Sequence, residues 1–228
     1  MRRVLDFLND FAFDLSWSPW FWSFAFVIPL FGLFFLRYYR PRWIAPFVGL
    51  GSPAWKSVAC LMIAAFLGAD VIYCLSSSFW DHVEPSVGIG SWTFWRGEPL
   101  YQGLETQQRY SGVYGPYTYI LQSCCQGLFG PSVFATKLPG CAAGAGAIAL
   151  FFVLLSKRTS AGTALLFTGL LAALCLRLGP FAFWARSDPL LLFCVTLGLF
   201  AATRKTTASA ILLGLSLGLA SSLKFNAV

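Results

Sequence analysis

Long apolar blocks separated by short polar ones run through this chain, and the spacing inside the blocks is helical rather than alternating. From Met1 to Asp14, Val4, Leu5, Leu8 and Phe11 recur on one side while Asp6, Asp10 and Asp14 recur every four residues on the other. That pattern predicts a short amphipathic helix lying at a membrane interface. Leu15 to Leu36 carries no charge over about the length a helix needs to cross a bilayer. Trp17, Trp20 and Trp22 at one end fit an aromatic belt, Pro29 marks a kink, and the basic run Arg37-Tyr38-Tyr39-Arg40-Pro41-Arg42 stops the span. Further spans are predicted over Ser57–Trp80, Phe134–Ser156, Ala161–Leu178, Pro189–Thr203 (a short one) and Thr206–Leu223. Tyr117–Phe129, closed by Gly130-Pro131, reads as a short helix beside the membrane surface. Gly140-x-x-x-Gly144 and Gly214-x-x-x-Gly218 offer close helix contacts. The pattern predicts an all-α polytopic bundle of about six spans, with short juxtamembrane helices in the first outer loop.

Charge orients the bundle. Arg37/Arg40/Arg42/Lys56, Lys157/Arg158 and Arg204/Lys205 fall on alternate loops that contain no acid, which places those loops in the cytoplasm. Asp81, Glu84, Glu98, Glu105 and Asp188 then face outward, although Arg2 and Arg3 oppose an external N-terminus. Composition agrees: 57% hydrophobic and 11% charged residues leave too little polar surface for a soluble globule, in which about a quarter are charged. The expected location is the plasma (inner) membrane, with several crossings. The net charge of +7 is explained by the basic clusters between spans, so no nucleic-acid partner is expected. Seven scattered cysteines without a C-x-x-C pair suggest neither a disulfide framework nor a zinc site.

Candidate chemistry concentrates between Asp81 and Tyr119, a polar and aromatic stretch holding four of the nine acids and the only histidine. Asp81 and Glu84 are three apart, a spacing that puts both carboxylates on one side of a helical turn. Paired carboxylates can divide into a general base and a ligand for metal or substrate, and a divalent metal on Asp81 and Glu84 is one option. The alternative is that they only mark the membrane's edge, and His82 between them reads best as an interfacial polar residue. Asp70, eleven positions before Asp81, shares its face if one helix continues that far. Acids at membrane depth face the bundle interior or a wet cavity. Lys137, Arg186-Ser187-Asp188-Pro189 and Lys224 begin or end spans on the same predicted outer face. They are candidates to hold a phosphate, with snorkelling as the alternative for both lysines.

In order, these motifs resemble the GT-C glycosyltransferases, multi-spanning enzymes that use polyprenyl-phosphate-linked sugars, among them the protein-mannosyltransferase and aminoarabinose-transferase-like families. Asp81-x-x-Glu84 is similar to their first outer-loop acidic motif. Gly97-Glu98-Pro99-Leu100-Tyr101 looks like G-x-x-L/I-Y, and Tyr114-Gly115-Pro116-Tyr117-Thr118-Tyr119 looks like Y-P-P-L-Y-Y with Gly115 for the first proline. Leu128-Phe129-Gly130-Pro131-Ser132 with Lys137-Leu138-Pro139, then Ala185-Arg186-Ser187-Asp188-Pro189, then Gly214–Ala220 with Lys224, resemble later signatures. The resemblance covers Ser57 to Val228. It implies 1–56 as an interfacial segment plus first span, and 57–228 as a transmembrane module that is C-terminally truncated, since such enzymes continue with more spans. It also implies sugar transfer from a polyprenyl-phosphate donor to a lipid, glycan or protein hydroxyl, among membrane lipids. Asp81 would act as base, Glu84 would assist through a metal or an acceptor hydroxyl, and Tyr114, Tyr117, Lys137, Arg186, Asp188 and Lys224 would contact substrate. A transporter of a lipid-linked or anionic solute lined by Asp70, or an inactive truncated membrane subunit, are the alternatives.

Overall fold

The computed structural model describes residues 4–8, 10, 53–101, 114–177 and 182–223. The first predicted span, its basic stop, Glu105 and Lys224 lie outside the described residues. Among the described residues the chain is helical with no strand. Residues 4–8 are helical, as the N-terminal spacing predicts. Seven longer helices follow: α1 (Pro53–Leu75), α2 (Val83–Trp95), α3 (Pro116–Phe129), α4 (Val133–Ser156), α5 (Ala161–Arg177), α6 (Ser187–Ala202) and α7 (Thr207–Leu223). Two of them, α1 and α4, are long and apolar enough to cross a membrane. With 17, 16 and 17 residues, α5, α6 and α7 are apolar but rise only about 24–26 Å, short of the ~30 Å hydrocarbon core.

Local chemistry sets the ends of these helices. Ser132 caps α4 by accepting from the Ala135 N–H, and Pro116 occupies the first turn of α3, where its missing N–H costs nothing. Gly97 and Gly130 adopt φ of 90° and 83° just after α2 and α3, a conformation only glycine takes without strain. One predicted boundary is wrong in a way that matters. The span expected over Ser57–Trp80 ends at Leu75, so no continuous helix joins Asp70 to Asp81.

The helices pack around α4. It touches α1, α3, α5 and α6, while α1 also pairs with α5, α6 with α7, and α2 with α3. The apolar core joins Phe66, Tyr73 and Cys74 of α1, Cys141 and Ile148 of α4, Ala172 of α5, and Ala182–Trp184 from the segment before α6. Asp70 is buried beside it, and the Cys141 thiol donates to the Asp70 backbone carbonyl at 3.8 Å. The polar side of α3 faces α2: Gln122 and Gln126, one turn apart, meet Ser91 and the Gly88 carbonyl.

The two glycine pairs have different fates. A Cβ on Gly140 or Gly144 would collide with the carbonyl oxygens of Trp184 and Ala182, so this pair admits the turn at 182–184 rather than another long helix. Gly214 and Gly218 have open space around them. Gly144→Ala should therefore lower thermal stability in detergent by about 1–3 kcal/mol through overpacking. Gly214→Ala should leave stability unchanged or raise it by up to ~1 kcal/mol from helix propensity; equal losses at both positions would contradict the packing described.

Candidate functional site

Four separated parts of the chain meet at one end of the bundle: the α1–α2 linker, Tyr114-Gly115 ahead of α3, the Ala182–Arg186 segment with the start of α6, and the last residue of α7. The sequence motifs Asp81-x-x-Glu84, Tyr114-Gly115-Pro116 and Arg186-Ser187-Asp188 come together there. The α7 end joins through a backbone hydrogen bond from Gly115 N–H to the Leu223 carbonyl, 2.9 Å.

Glu84 lies at the centre, fully buried. One carboxylate oxygen accepts from the Tyr73 hydroxyl and from the Ala185 N–H at 2.8 Å; the other accepts from the Trp80 and Asp81 N–H groups, both at 2.8 Å. A buried carboxylate is tolerable only with this kind of donor set. Tyr73, Trp80 and Phe183 pack edge-to-face or tilted around it, with ring centroids 5.1–5.6 Å apart. Lys137 is equally buried and faces the C-terminus of α1. Its ammonium donates to the Tyr73, Ser76 and Ser78 carbonyls at 2.7, 3.1 and 2.6 Å and to the Ser76 hydroxyl at 2.8 Å. It also sits 4.1 Å from the Tyr73 ring centroid. These contacts satisfy carbonyls that a helix end otherwise leaves orphaned and account for the early stop of α1.

Asp81 and Arg186 are the half-buried pair. The Arg186 Nη1 donates to Asp81 Oδ2 at 2.5 Å, and its Nε points to Asp188 Oδ2 at 3.8 Å. The guanidinium lies 4.3 Å from the Trp184 ring centroid and 5.3 Å from that of Tyr114, between two π faces. His82, almost fully exposed, approaches the other Asp81 oxygen through Nδ1 at 2.8 Å. Burial pushes the Tyr114 phenol up to about 12, the nearby guanidinium opposing that rise. Tyr101 donates to the Tyr114 carbonyl at 2.9 Å, and Tyr117 is largely exposed in the first turn of α3.

The expected site residues thus separate. Asp81, Arg186, Asp188 and Tyr114 converge; Tyr117 is near them in sequence but faces outward; Lys224 lies outside the described residues. Asp81 and Glu84 do not share one side of a turn, because α2 begins at Val83 and only Glu84 turns inward. Lys137 is engaged by four oxygens and Glu84 by four donors, so neither offers a free contact to substrate. The metal expected on Asp81 and Glu84 does not fit this donor set: both Glu84 oxygens already accept two hydrogen bonds, and no cluster of three potential ligands occurs among the described residues. Sequence reasoning missed Tyr73, Ser76 and Gln122. The last had a visible signal, since Gln122 and Gln126 sit one turn apart in a helix whose ends are apolar or aromatic. Gln122 donates to the Ala185 carbonyl at 3.0 Å and so holds α3 against the segment that carries Arg186.

No family model, curated protein or solved structure matches this chain.

Two outcomes follow from these contacts. Glu84→Gln turns an N–H2 toward two of the four donors and should cost roughly 2–5 kcal/mol in thermal unfolding, whereas Glu98→Gln at an exposed position should cost nothing measurable. In an alkaline absorbance titration, Tyr114→Phe should remove one phenol that ionises near pH 12. Its folded value lies above the ordinary 10, so the stability it contributes is complete below pH 10 and is lost as pH rises toward 12.

Proposed function

We propose that this chain is the core of a membrane glycosyltransferase of the GT-C type, moving a sugar from a polyprenyl-phosphate carrier to a hydroxyl acceptor at the outer membrane face. The observation that carries this reading is the Asp81–Arg186 pair. It unites, at one end of the bundle, three of the motifs on which the resemblance rests, and a carboxylate beside a guanidinium is the pairing that activating a hydroxyl and receiving a departing phosphate would need.

The orientation rests on the same geometry. Lys157 and Arg204 both pack on the Phe200 ring, so the two acid-free basic loops lie together at the opposite end from Asp81. The positive-inside rule sets that basic end in the cytoplasm and the acidic end outside. Helical residues 4–8 accord with it, since Asp6 accepts from the Ser77 N–H and hydroxyl, each at 2.9 Å, at the outer end of α1. With α1 and α4 crossing fully, α5–α7 cross where the bilayer is thinned around them, giving a multi-pass protein.

In the proposed reaction Asp81 takes the proton of the acceptor hydroxyl as that oxygen attacks the anomeric carbon. The bond to the carrier phosphate breaks, and the phosphate leaves with the bonding pair toward Arg186. One displacement inverts the anomeric centre. Asp188 and the Trp184 and Tyr114 rings hold the guanidinium in place, and Glu84 and Lys137 fix the linker that carries Asp81. No step passes through a metal. Asp70, packed beside the aromatic core with α1 ending before Asp81, favours the enzyme over the transport path that would need it.

The test is sugar transfer from radiolabelled polyprenyl-phosphate sugars by the purified chain in lipid nanodiscs. Asp81→Asn should lower turnover by about 10²–10⁴-fold with donor binding retained, and Arg186→Gln should weaken donor binding. Normal transfer by folded Asp81→Ala would overturn the assignment.

A further inference from the structure

The opposite end of the bundle has an unmet electrostatic requirement. There α4 and α6 end beside each other, followed by Lys157-Arg158 and by Arg204-Lys205, all four exposed. Lys157 Nζ lies 4.5 Å and Arg204 Cζ 4.6 Å from the centroid of the single Phe200 ring. The two cations are therefore held at most about 9 Å apart, close to the ~8 Å over which physiological salt screens a charge. The sequence contains no acid in 106–187 or in 189–228, so no carboxylate from those stretches offsets them. Helix dipoles do not either. The carbonyl ends of α4 and α6 contribute about half a negative charge each, and the amide ends of α5 and α7, which begin at this same end, return about as much positive charge.

The surroundings say what kind of anion fits. Val153, one turn before Lys157, and Val195 and Leu199, one turn apart on α6, are exposed. A phosphate free in water would use only the four charges. A lipid phosphate would use the charges while its chains covered these exposed apolar side chains, the usual outcome where basic residues flank spans on a cytoplasmic face.

We infer that this end of α4 and α6 clasps an inner-leaflet lipid whose headgroup carries two phosphates, one facing Lys157-Arg158 and the other Arg204-Lys205, with its acyl chains against Val153, Val195 and Leu199. The inference rests on the membrane orientation proposed above and is independent of the transferase reading.

The experiment measures thermal unfolding of the purified chain in nanodiscs of phosphatidylcholine alone, with ~5 mol % of a two-phosphate lipid (diphosphatidylglycerol), or with a one-phosphate lipid at equal total charge. The two-phosphate lipid should raise the melting temperature by about 5 °C more than the one-phosphate lipid. Lys157→Gln/Arg204→Gln should abolish that excess, and Arg96→Gln, an exposed cation after α2, should preserve it. Raising sodium chloride to ~0.5 M should remove the excess from the wild-type chain, a readout that needs no variant. Equal shifts from the two lipids, an excess that survives in the double variant or in high salt, or an equal shift from the chain-free bisphosphate headgroup would each overturn the clasp.

Discussion

A carboxylate with no access to water must find its donors in the protein, and Glu84 finds all four within hydrogen-bonding reach. They come from α1, from the linker after it and from the segment before α6, so three parts of the chain are placed by one charge. Two of those donors are the backbone groups of Asp81 and Ala185. Asp81 and Arg186 are thus held from behind, each on or next to a residue that solvates Glu84. Lys137 does the converse with acceptors, drawing in the carbonyls of Tyr73, Ser76 and Ser78. Tyr73 belongs to both sets, its hydroxyl on Glu84 and its carbonyl on Lys137. Removing either ion leaves several buried partners unsatisfied at once, which is why such groups act on more than their own contacts.

Four of the ionic side chains at this end divide by burial. Glu84 and Lys137 have no exposure and no spare valence for a ligand. Asp81 and Arg186 retain 15% and 20% exposure and hold each other. That half-buried pair can exchange a protein partner for a substrate group without leaving a charge stranded, which the buried ions cannot do. Mostly screened from water, the pair sits between the exposed salt bridges that contribute little and the fully buried ions that cannot lose a partner without a large cost.

The helices were legible because their apolar lengths and turn residues are local signals: α3, α4, α5 and α7 begin and end within a residue of the expectation wherever they are described. The end of α1 was not legible, because it depends on Lys137, more than sixty residues away, and no window along the chain contains both. The same reason misled the reading of Asp81 with Glu84. Three-residue spacing implies a shared face only inside a helix, and the bend at Ser76–Asp81 lies outside one. The glycine pairs look alike in sequence; only the backbone at Ala182 and Trp184 separates the packed pair from the open one. Asp81, Glu84, Tyr114, Lys137, Arg186 and Asp188 look equivalent as motif residues; only their partners in space separate the enclosed Glu84 and Lys137 from the rest.

The hydrogen bond from Ala185 to Glu84 spans 101 residues, and this separation bears on how the protein is made. At ribosomal rates of about 5–20 residues per second, Glu84 is synthesised roughly 5–20 s before its last donor. Its charge must remain hydrated through that interval, so α2 stays in contact with water while α3, α4 and α5 are made. Only when the chain ahead of α6 emerges can the carboxylate be buried, and the same event brings Arg186 to Asp81. The bond from Gly115 to Leu223 closes later still, once α7 is in place. Completion of the site is therefore late and ordered, closing first around Glu84 and then at the end of α7.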